Sequence, residues 1–257
     1  MIKIIPNEAV LILQDKESVI VVSDLHLGIE KDMAAKGFRL PSYTVKMVER
    51  IRNIREITSA KRIIILGDVK HSIGKVEDID WQTVPSFFET MLDLFSDVIV
   101  LPGNHDGNIA KLLPPKVRLF PAEGLVIKIG NSRFGLAHGH AWPTREAIES
   151  GNMIIGHSHF SFEIRDRFGA RSRELVWVSA EYDINGLAND AGYRTDVRGK
   201  GRLIVMPPFN RIVGGQPINS ERSTEFGPVL SSRHVDVLNA EIFLLDGTRI
   251  SFEKISN

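Results

Sequence analysis

The sequence predicts an α/β fold, because short buried strands alternate with amphipathic helices along the chain. Seven short runs consist of apolar, mostly β-branched residues: Val10–Leu13, Val19–Val22, Ile63–Leu66, Val98–Leu101, Met153–Ile155, Leu175–Val178 and Leu203–Met206. Such runs, bounded by turn residues, are typical of strands that are buried on both faces. Residues 43–58 and 81–95 carry apolar residues at helical spacing and predict two helices between the strands.

The later part of the chain is predicted to be richer in strands and loops. Two pairs of runs, each separated by a Gly-containing turn, predict hairpins: Leu125–Ile129 with Arg133–Ala137, and Glu241–Leu245 with Arg249–Phe252. Segments 181–200 and 214–235 are polar, Gly-rich and non-periodic, so we expect long loops there. We expect a single domain over residues 1–257, with a motif-bearing core of about 10–215 and a β-rich C-terminal extension, 216–257.

Composition excludes several classes of site. The chain has 257 residues, 43% of them hydrophobic, and no cysteine, which excludes disulfide scaffolds, thiolate zinc fingers, iron–sulfur clusters and cysteine nucleophiles. Any metal must therefore bind His, Asp, Glu, Asn or backbone oxygen. The beginning of the chain lacks a signal-peptide pattern, and no apolar run approaches ~18 residues. We expect a soluble, cytoplasmic protein with no membrane partner.

Charge is balanced over the whole chain but not locally. Thirty-two basic residues offset 32 acidic ones. Segment 161–173 has four Arg against one Glu and one Asp, and segment 192–202 has three Arg and one Lys against one Asp. Both segments are interpreted either as solvated loops or as surfaces for a polyanion, because a partner meets a local patch rather than the total charge.

Five polar motifs follow directly on predicted strands. In chain order they are Asp24-Leu25-His26, Gly67-Asp68, Gly103-Asn104-His105-Asp106, His138-Gly139-His140 and Gly156-His157-Ser158-His159. Open α/β sheets bind ligands at the carboxyl ends of their strands, so all five motifs are expected to meet at one site. Any one motif alone is typical of an ordinary capped loop or turn. Their joint occurrence favours a metal site.

Spacing suggests how the motifs bind metal. Side chains alternate along a strand, so Asp24 and His26 are expected to point to the same side and to chelate one ion, and His157 and His159 to repeat this arrangement. The neighbouring glycines would allow sharp turns and leave room for a substrate oxygen. Seven candidate ligands are too many for one tetrahedral ion and suit two ions with a bridging carboxylate: Asp24, His26, Asp68, Asn104, His138, His157 and His159. Two such cations leave a positive site that would attract phosphate.

The ordered motifs resemble the calcineurin-like metallophosphoesterase superfamily. That resemblance implies a four-layer αββα sandwich of two mixed β-sheets flanked by helices. It also implies one metal on Asp24, His26, Asp68 and His159, and a second on Asp68, Asn104, His138 and His157. It further implies that His105 contacts the scissile phosphate, as a general acid or charge stabiliser, and that Asp106 orients His105.

Further motifs resemble a subgroup. Gly-Asp-Val-Lys-His, ending at His71, is similar to the Gly-Asp-x-x-His of SbcD-type nucleases, in which the added histidine faces the phosphodiester; a surface loop histidine is the alternative. Segments 24–40 and 206–215 are similar to SbcD-related, ligase-associated metallophosphoesterases. This resemblance implies a possible superfamily-two helicase partner and a homodimer.

We therefore predict a two-metal phosphodiesterase, a nuclease that cleaves DNA or RNA and uses Mn²⁺, with Fe, Ni, Zn and Mg as alternatives. The predicted substrate contacts are His71, Asn104, His140, Arg171 and Arg173, together with further basic residues of segments 161–173 and 192–202. A small-molecule phosphatase or nucleotide phosphodiesterase is the second hypothesis, since loops rather than the metal core select the substrate. A weakly catalytic scaffold subunit is the third.

Overall fold

Two β-sheets pack face to face, and helices cover the outer face of each, as the computed structural model shows for residues 1–38, 40–220 and 226–250. The first sheet is formed by β1 (Ile2–Ile4), β2 (Leu11–Gln14), β3 (Ser18–Ser23), β4 (Arg62–Leu66), β5 (Asp97–Leu101) and β6 (Arg118–Leu119) in that spatial order. Strands β3 to β6 are parallel, and β1 and β2 are antiparallel to their neighbours. The predicted αββα sandwich of two mixed sheets is confirmed.

The second sheet is larger. Its strands are β7 (Leu125–Ile129), β8 (Ser132–Leu136), β9 (Asn152–Ile155), β10 (Phe160–Arg165), β11 (Arg171–Asp183), β12 (Lys200–Val205), β13 (Gln216–Pro217), β14 (Glu241–Leu244) and β15 (Arg249–Ile250). The spatial order is β13-β10-β11-β12-β9-β8-β7, with the β14–β15 hairpin joined to β11. Strands β8, β9 and β12 are parallel, whereas β11 is antiparallel to β10 and β12.

Six α-helices flank the sheets in the described structure, and the two longest lie where the apolar spacing predicts helices. They are α1 (Ile29–Ala35), α2 (Tyr43–Thr58), α3 (Asp78–Leu94), α4 (Arg145–Ile148), α5 (Ile184–Asp190) and α6 (Gly227–Ser231). Helix α2 has the predicted bounds, and α3 begins three residues before the predicted start at 81. A capping box explains the earlier start, because the side chains of Glu77 and Asp80 each accept a hydrogen bond from the other's backbone N–H.

Strand alternation divides the core into layers. On β3, Val19 and Val21 face the second sheet, while Ile20 and Val22 face α2 and α3. Such two-sided burial explains why the sequence shows continuous apolar runs rather than alternation. The central layer between the sheets therefore holds both sheets in a fixed relation, and it lies directly beneath the strand ends that carry the motifs.

Two predicted loops contain regular structure. Segment 181–200 holds the end of β11 and all of α5, and segment 214–235 holds β13 and α6 in its described part. Helix α5 is only seven residues long, so its apolar residues are too few to give a periodic signal; its N-cap Asp183 accepts a hydrogen bond from Gly186 N–H at 2.5 Å. Both predicted hairpins form, although Ser251 and Phe252 of the second lie outside the described residues.

No helix in the described part of the chain is both long and apolar enough to cross a bilayer.

Replacement of a residue in the central layer should destabilise the protein strongly. Ile64 is fully buried between the sheets, so Ile64→Ala should cost about 2–5 kcal/mol through lost burial and a cavity. Ile57→Ala on α2 is the matched control, because Ile57 is 77% exposed, and it should cost less than about 0.5 kcal/mol. Urea unfolding measures both changes, and equal effects would contradict this account of the core.

Candidate metal centre

The five motifs meet where the carboxyl ends of both sheets come together. Asp24, Asp68 and His105 follow β3, β4 and β5, whereas His138 and His157 follow β8 and β9. Contacts join the two sheets here: the His157 backbone N lies 3.3 Å from the Asp24 carboxylate, and His138 Nδ1 lies 2.7 Å from the carbonyl oxygen of Leu66. The site is thus formed by both halves of the sandwich.

Six of the seven predicted ligands form two groups that share one carboxylate. The first contains Asp24, His26, Asp68 and His159, and the second contains Asp68, His138 and His157; within each group one ligand atom per residue lies within 4.8 Å of the others. His159 Nε2 is 3.0 Å from Asp24 Oδ1, and His138 Nε2 is 3.4 Å from Asp68 Oδ1. Asp68 therefore lies between the two groups, where a bridging ligand would be needed.

The backbone, however, does not follow the predicted strand alternation. Strands β3 and β9 end before the ligands, and Asp24, His26, His157 and His159 have φ values of 58°, 43°, 71° and 44°. Left-handed φ is uncommon for residues other than glycine. His157 and His159 also enter different groups, which agrees with the division implied by the resemblance and not with the expectation from strand spacing that they chelate one ion together. A strained turn after each strand, not the pleat, directs these side chains.

Glycines at this junction leave room for protein atoms rather than for a substrate oxygen. A Cβ on Gly67, whose φ is 72°, would lie 2.5 Å from the His138 ring. A Cβ on Gly156 would lie 1.8 Å from Ser23 Oγ and 2.7 Å from Asp24 Oδ2. The glycines thus permit the two sheets to approach closely enough to assemble the ligands.

Buried imidazole nitrogens indicate that these residues fit metal ions. In the described structure, Nε2 of His26, His138 and His159 is buried and forms no hydrogen bond of good geometry, although the Nε2 atoms of His138 and His159 lie within 3.4 Å of a carboxylate oxygen. Since buried polar atoms are normally satisfied, such orphaned nitrogens need an explanation. His138 Nδ1 donates to the carbonyl of Leu66, so Nε2, which faces Asp68, is the nitrogen that a cation would bind once its proton is lost. Hard carboxylate oxygens and imidazoles suit divalent cations.

Burial and charge set the protonation of the ligands. Burial lowers the pKa of His26 to about 3 and that of His157 to about 4, so both are neutral near pH 7 and have free lone pairs. Burial also disfavours protonation of His138, but the carboxylates of Asp68 and Asp24 outweigh it and raise the pKa of His138 to about 9. A cation at His138 would have to displace a proton, so metal binding should release protons.

His105 is oriented by a carbonyl and not by Asp106. His105 Nδ1 lies 2.6 Å from the carbonyl oxygen of His71, while its Nε2 points toward Asp68 Oδ2 at 3.9 Å. Asp106 is buried and accepts hydrogen bonds from the N–H groups of Val69, Lys70 and Gly103. Burial raises the pKa of Asp106 to about 6. Asp106 therefore fastens the loop after β5, which carries His105, to the loop after β4, so any orienting of His105 by Asp106 acts through the loop.

The other predicted histidines also lie at the site. His71 Nδ1 is 3.3 Å from His26 Nδ1, and His71 Nε2 is 3.1 Å from the Asp32 carboxylate. The surface-loop alternative for His71 therefore does not describe its position. His140 stands beside the second group, with its ring centroid 5.3 Å from that of His138, and its buried Nδ1 has no hydrogen-bond partner in the described structure.

Asn104 is exposed at the mouth of the site. It directly precedes His105, whose backbone N–H donates to Asp68 Oδ1 at 2.9 Å, so the loop that carries Asn104 is attached to the shared carboxylate. Its roles as a metal ligand and substrate contact remain predictions.

The two basic segments lie at opposite ends of the strands of the second sheet. Arg171 and Arg173 belong to the β10–β11 hairpin, which begins directly after His159. Arg202 instead pairs with Asn152, at the amino ends of β12 and β9, whereas the metal ligands follow the carboxyl end of β9. The predicted contacts of segment 192–202 with flanking phosphates would therefore lie away from the metal ligands, and they stay a prediction. Sequence proximity of basic residues does not show to which end of a strand they belong.

The sequence analysis did not identify two buried residues that hold the loops of the site in position. Lys70 is fully buried and donates to the carbonyl of His105 at 2.5 Å. Asn210, also fully buried, donates to the carbonyl of Leu25 at 2.8 Å and so fixes the turn between Asp24 and His26. The only sequence signal for Lys70 is its place between Asp68 and His71, and Asn210 lies within the segment 206–215 noted for its resemblance.

The chain is similar to known proteins in sequence pattern and in fold. The family model of the calcineurin-like phosphoesterase superfamily domain matches residues 18–176, which contain all five motifs. The structure is similar to the crystal structure of the nuclease MPE from Pseudomonas putida, with a TM-score of 0.50 and 18% identity over 96% of each chain. It is also similar to Yfce, a phosphoesterase from E. coli, with a TM-score of 0.38 and 12% identity over 91% of this chain and 96% of the other.

No match was found among curated proteins. At these identities the structural likenesses concern the fold alone, so the family model carries the assignment. Members of the family use a binuclear metal centre, and the two groups around Asp68 fit one. The chain therefore belongs to the calcineurin-like phosphoesterase superfamily and is a metal-dependent phosphoesterase.

Proposed function

We propose that the protein is a two-metal phosphodiesterase that cleaves nucleic acid with Mn²⁺ as its metal. The observation that carries the proposal is the meeting of two ligand groups at Asp68 with the His105 ring next to them, 4.7 Å from the ring of His26. All seven predicted ligand positions are present, which argues against a scaffold that has lost its chemistry.

The side chains would divide between two ions. Asp24, His26, Asp68 and His159 would hold one, and Asp68, Asn104, His138 and His157 the other. When bound, two divalent cations neutralise charge on phosphoryl oxygens and make water more acidic. A chain without cysteine has no soft ligand here, so its oxygen and imidazole ligands are compatible with manganese.

His105 supplies the mobile proton in this proposal. Because Nδ1 is committed to the carbonyl of His71, Nε2 is the nitrogen that faces the substrate side. There a protonated imidazole donates a hydrogen bond to the phosphate or a proton to the leaving oxygen. Lys70 keeps this arrangement in place by holding the carbonyls of both His105 and Ser72.

The site is open enough to admit a polymeric substrate. Asn104 is exposed, and the side chains of His105 and His159 are 16% and 17% exposed, so the ligands open onto the surface. His71, held by Asp32, lies at the same mouth and would contact a phosphate there. The helicase partner and the homodimer remain predictions that follow only from the resemblance.

The substrate class is tested with purified protein, MnCl₂, and end-labelled single- and double-stranded DNA and RNA. A nucleotide, a generic diester and a monoester serve as comparison substrates. We expect shortened polymer products, abolished by EDTA, because the proposed reaction needs both cations. Hydrolysis of the monoester alone would refute the proposal, and turnover restricted to nucleotides would favour the small-molecule hypothesis.

Removal of one ligand should empty one site. After Mn²⁺ loading and desalting, the wild-type chain should retain about two ions and His157→Ala about one, because His157 belongs to a single group. Elemental analysis by mass spectrometry measures the ratio. His234→Ala is the control, since His234 contacts Asp190 away from both groups and its loss should leave the metal content unchanged. Equal metal content in wild type and His157→Ala would contradict the ligand assignment.

Replacement of His105 should separate turnover from metal binding. His105→Asn should lower kcat on a diester by about 10²–10⁴-fold, the usual contribution of general acid–base catalysis, while metal content stays at the wild-type level. Initial rates and elemental analysis are compared on the same preparations. A kcat within threefold of wild type would remove His105 from the mechanism.

A further inference from the structure

The distal half of the β10–β11 hairpin, residues 163–173, extends from the second sheet as a two-stranded ribbon, here called the arm. In the described structure β10 pairs with β13 only at Phe160 and Ser161, and β11 pairs with β14 and β12 only from Val176 onward. Residues 165–174 are all exposed. The arm thus receives little stabilisation from packing against the core. A two-stranded ribbon without further contacts is only marginally stable.

The arm projects on the same side as the metal centre. Strand β11 is antiparallel to β12, which is parallel to β9, and Val178, Val205 and Ile155 are aligned across them. Residues of β11 before Val178 therefore lie beyond the carboxyl end of β9, where His157 and His159 also lie. The arm extends outward past these ligands.

One face of the arm is positively charged. Glu163 pairs with Arg173 and Arg165 with Arg171, so all four side chains point to the same face. The three arginines lie 3.2–3.5 Å from the single Glu163 carboxylate, which neutralises only one of them. Glu163 is largely covered, while each arginine side chain is more than half exposed. The face offers guanidinium groups to a polyanion.

Hydrogen bonds order the turn at the tip of the arm. Asp166 Oδ1 accepts hydrogen bonds from the N–H groups of Phe168 and Ala170 at 2.8 and 2.9 Å, which holds a tight turn. The turn presents Phe168 at 81% exposure, with the Arg167 guanidinium 4.8 Å from its ring centroid. An exposed aromatic beside cationic groups is a surface on which a nucleobase can stack.

We propose that the arm binds the backbone of the polynucleotide substrate at a distance from the bond held at the metals, with Phe168 stacking on a base. This rests on the proposed function. From His159 to the Glu163–Arg173 pair is about 13 Å and to the Arg165–Arg171 pair about 20 Å, at ~3.3 Å per residue. That span equals roughly 4–6 nucleotides of a duplex strand at ~3.4 Å each.

A length series of labelled duplexes tests the proposal by fluorescence anisotropy in EDTA. Arg171→Glu/Arg173→Glu should raise the Kd at least tenfold for a 16-base-pair duplex but less than twofold for a labelled dinucleotide added to the series, which spans about 7 Å and cannot reach the arm. The slope of log K against log salt should become shallower by about two, for two lost phosphate contacts. Phe168→Ala should weaken binding of the long substrate, with the salt slope unchanged.

Matched variants control for charge and folding. Arg52→Glu/Arg55→Glu changes the net charge by the same amount at two exposed residues near the end of α2. This end of α2 leads into the amino end of β4, away from the metal ligands. The variant should therefore bind the duplexes with wild-type affinity. Thermal unfolding checks that Arg171→Glu/Arg173→Glu is folded. If it is not, Arg171→Gln/Arg173→Gln, which removes the two charges without reversing them, is used instead.

The outcomes separate the arm from the nuclease function. Wild-type affinity in the arm variants, or an equal loss in Arg52→Glu/Arg55→Glu, would overturn the proposal. A change in sedimentation alone would show a contact between copies instead and would also overturn it. Length-dependent loss of binding in a protein that cleaves no polymer would support the arm while refuting the proposed function.

Discussion

The carboxylate of Asp68 is the group on which the rest of the site depends. It is buried, and it lies between the two sheets with His138 on one side and His26 on the other. Burial disfavours its ionised form, but His138 and His26 outweigh this and hold the pKa of Asp68 well below its usual range. A buried charge persists only when it is well partnered. The histidines, the backbone N–H of His105 and the proposed cations are those partners.

Assembly around one carboxylate requires unusual backbone. Five of the seven predicted ligands have left-handed φ values: Asp24, His26, Asp68, His157 and His159. Such conformations cost about 1–3 kcal/mol each and persist only where the surroundings hold them. Here the hydrogen bonds of Asp106 and Asn210 and the central layer between the sheets hold the turns. Stability of the sandwich and geometry of the site are therefore coupled.

The two ends of the strands in the second sheet carry different functional residues. His157, His159 and the arm lie at the carboxyl ends of β9 and β12. Arg202, which lies near Glu241, is at their amino ends. Two segments with similar composition thus differ in what they can reach. The direction of the strands, not the local charge, decides which basic residues lie near the metals.

By itself the sequence determined an α/β fold, the positions of the main strands and of the two long helices, and the chemistry of the ligands, because burial periodicity and residue type are local properties; the resemblance added the layered arrangement. Residues 43–58 form the predicted helix, and the strands before Asp24, Asp68 and His138 lie where apolar runs stand. Only the tertiary structure decided that left-handed turns direct the ligands, that the carbonyl of His71 orients His105, and that 163–173 extends past the metal ligands. Those outcomes depend on turns after the strands and on the approach of two sheets, which join residues far apart in the chain and leave no periodic trace in it.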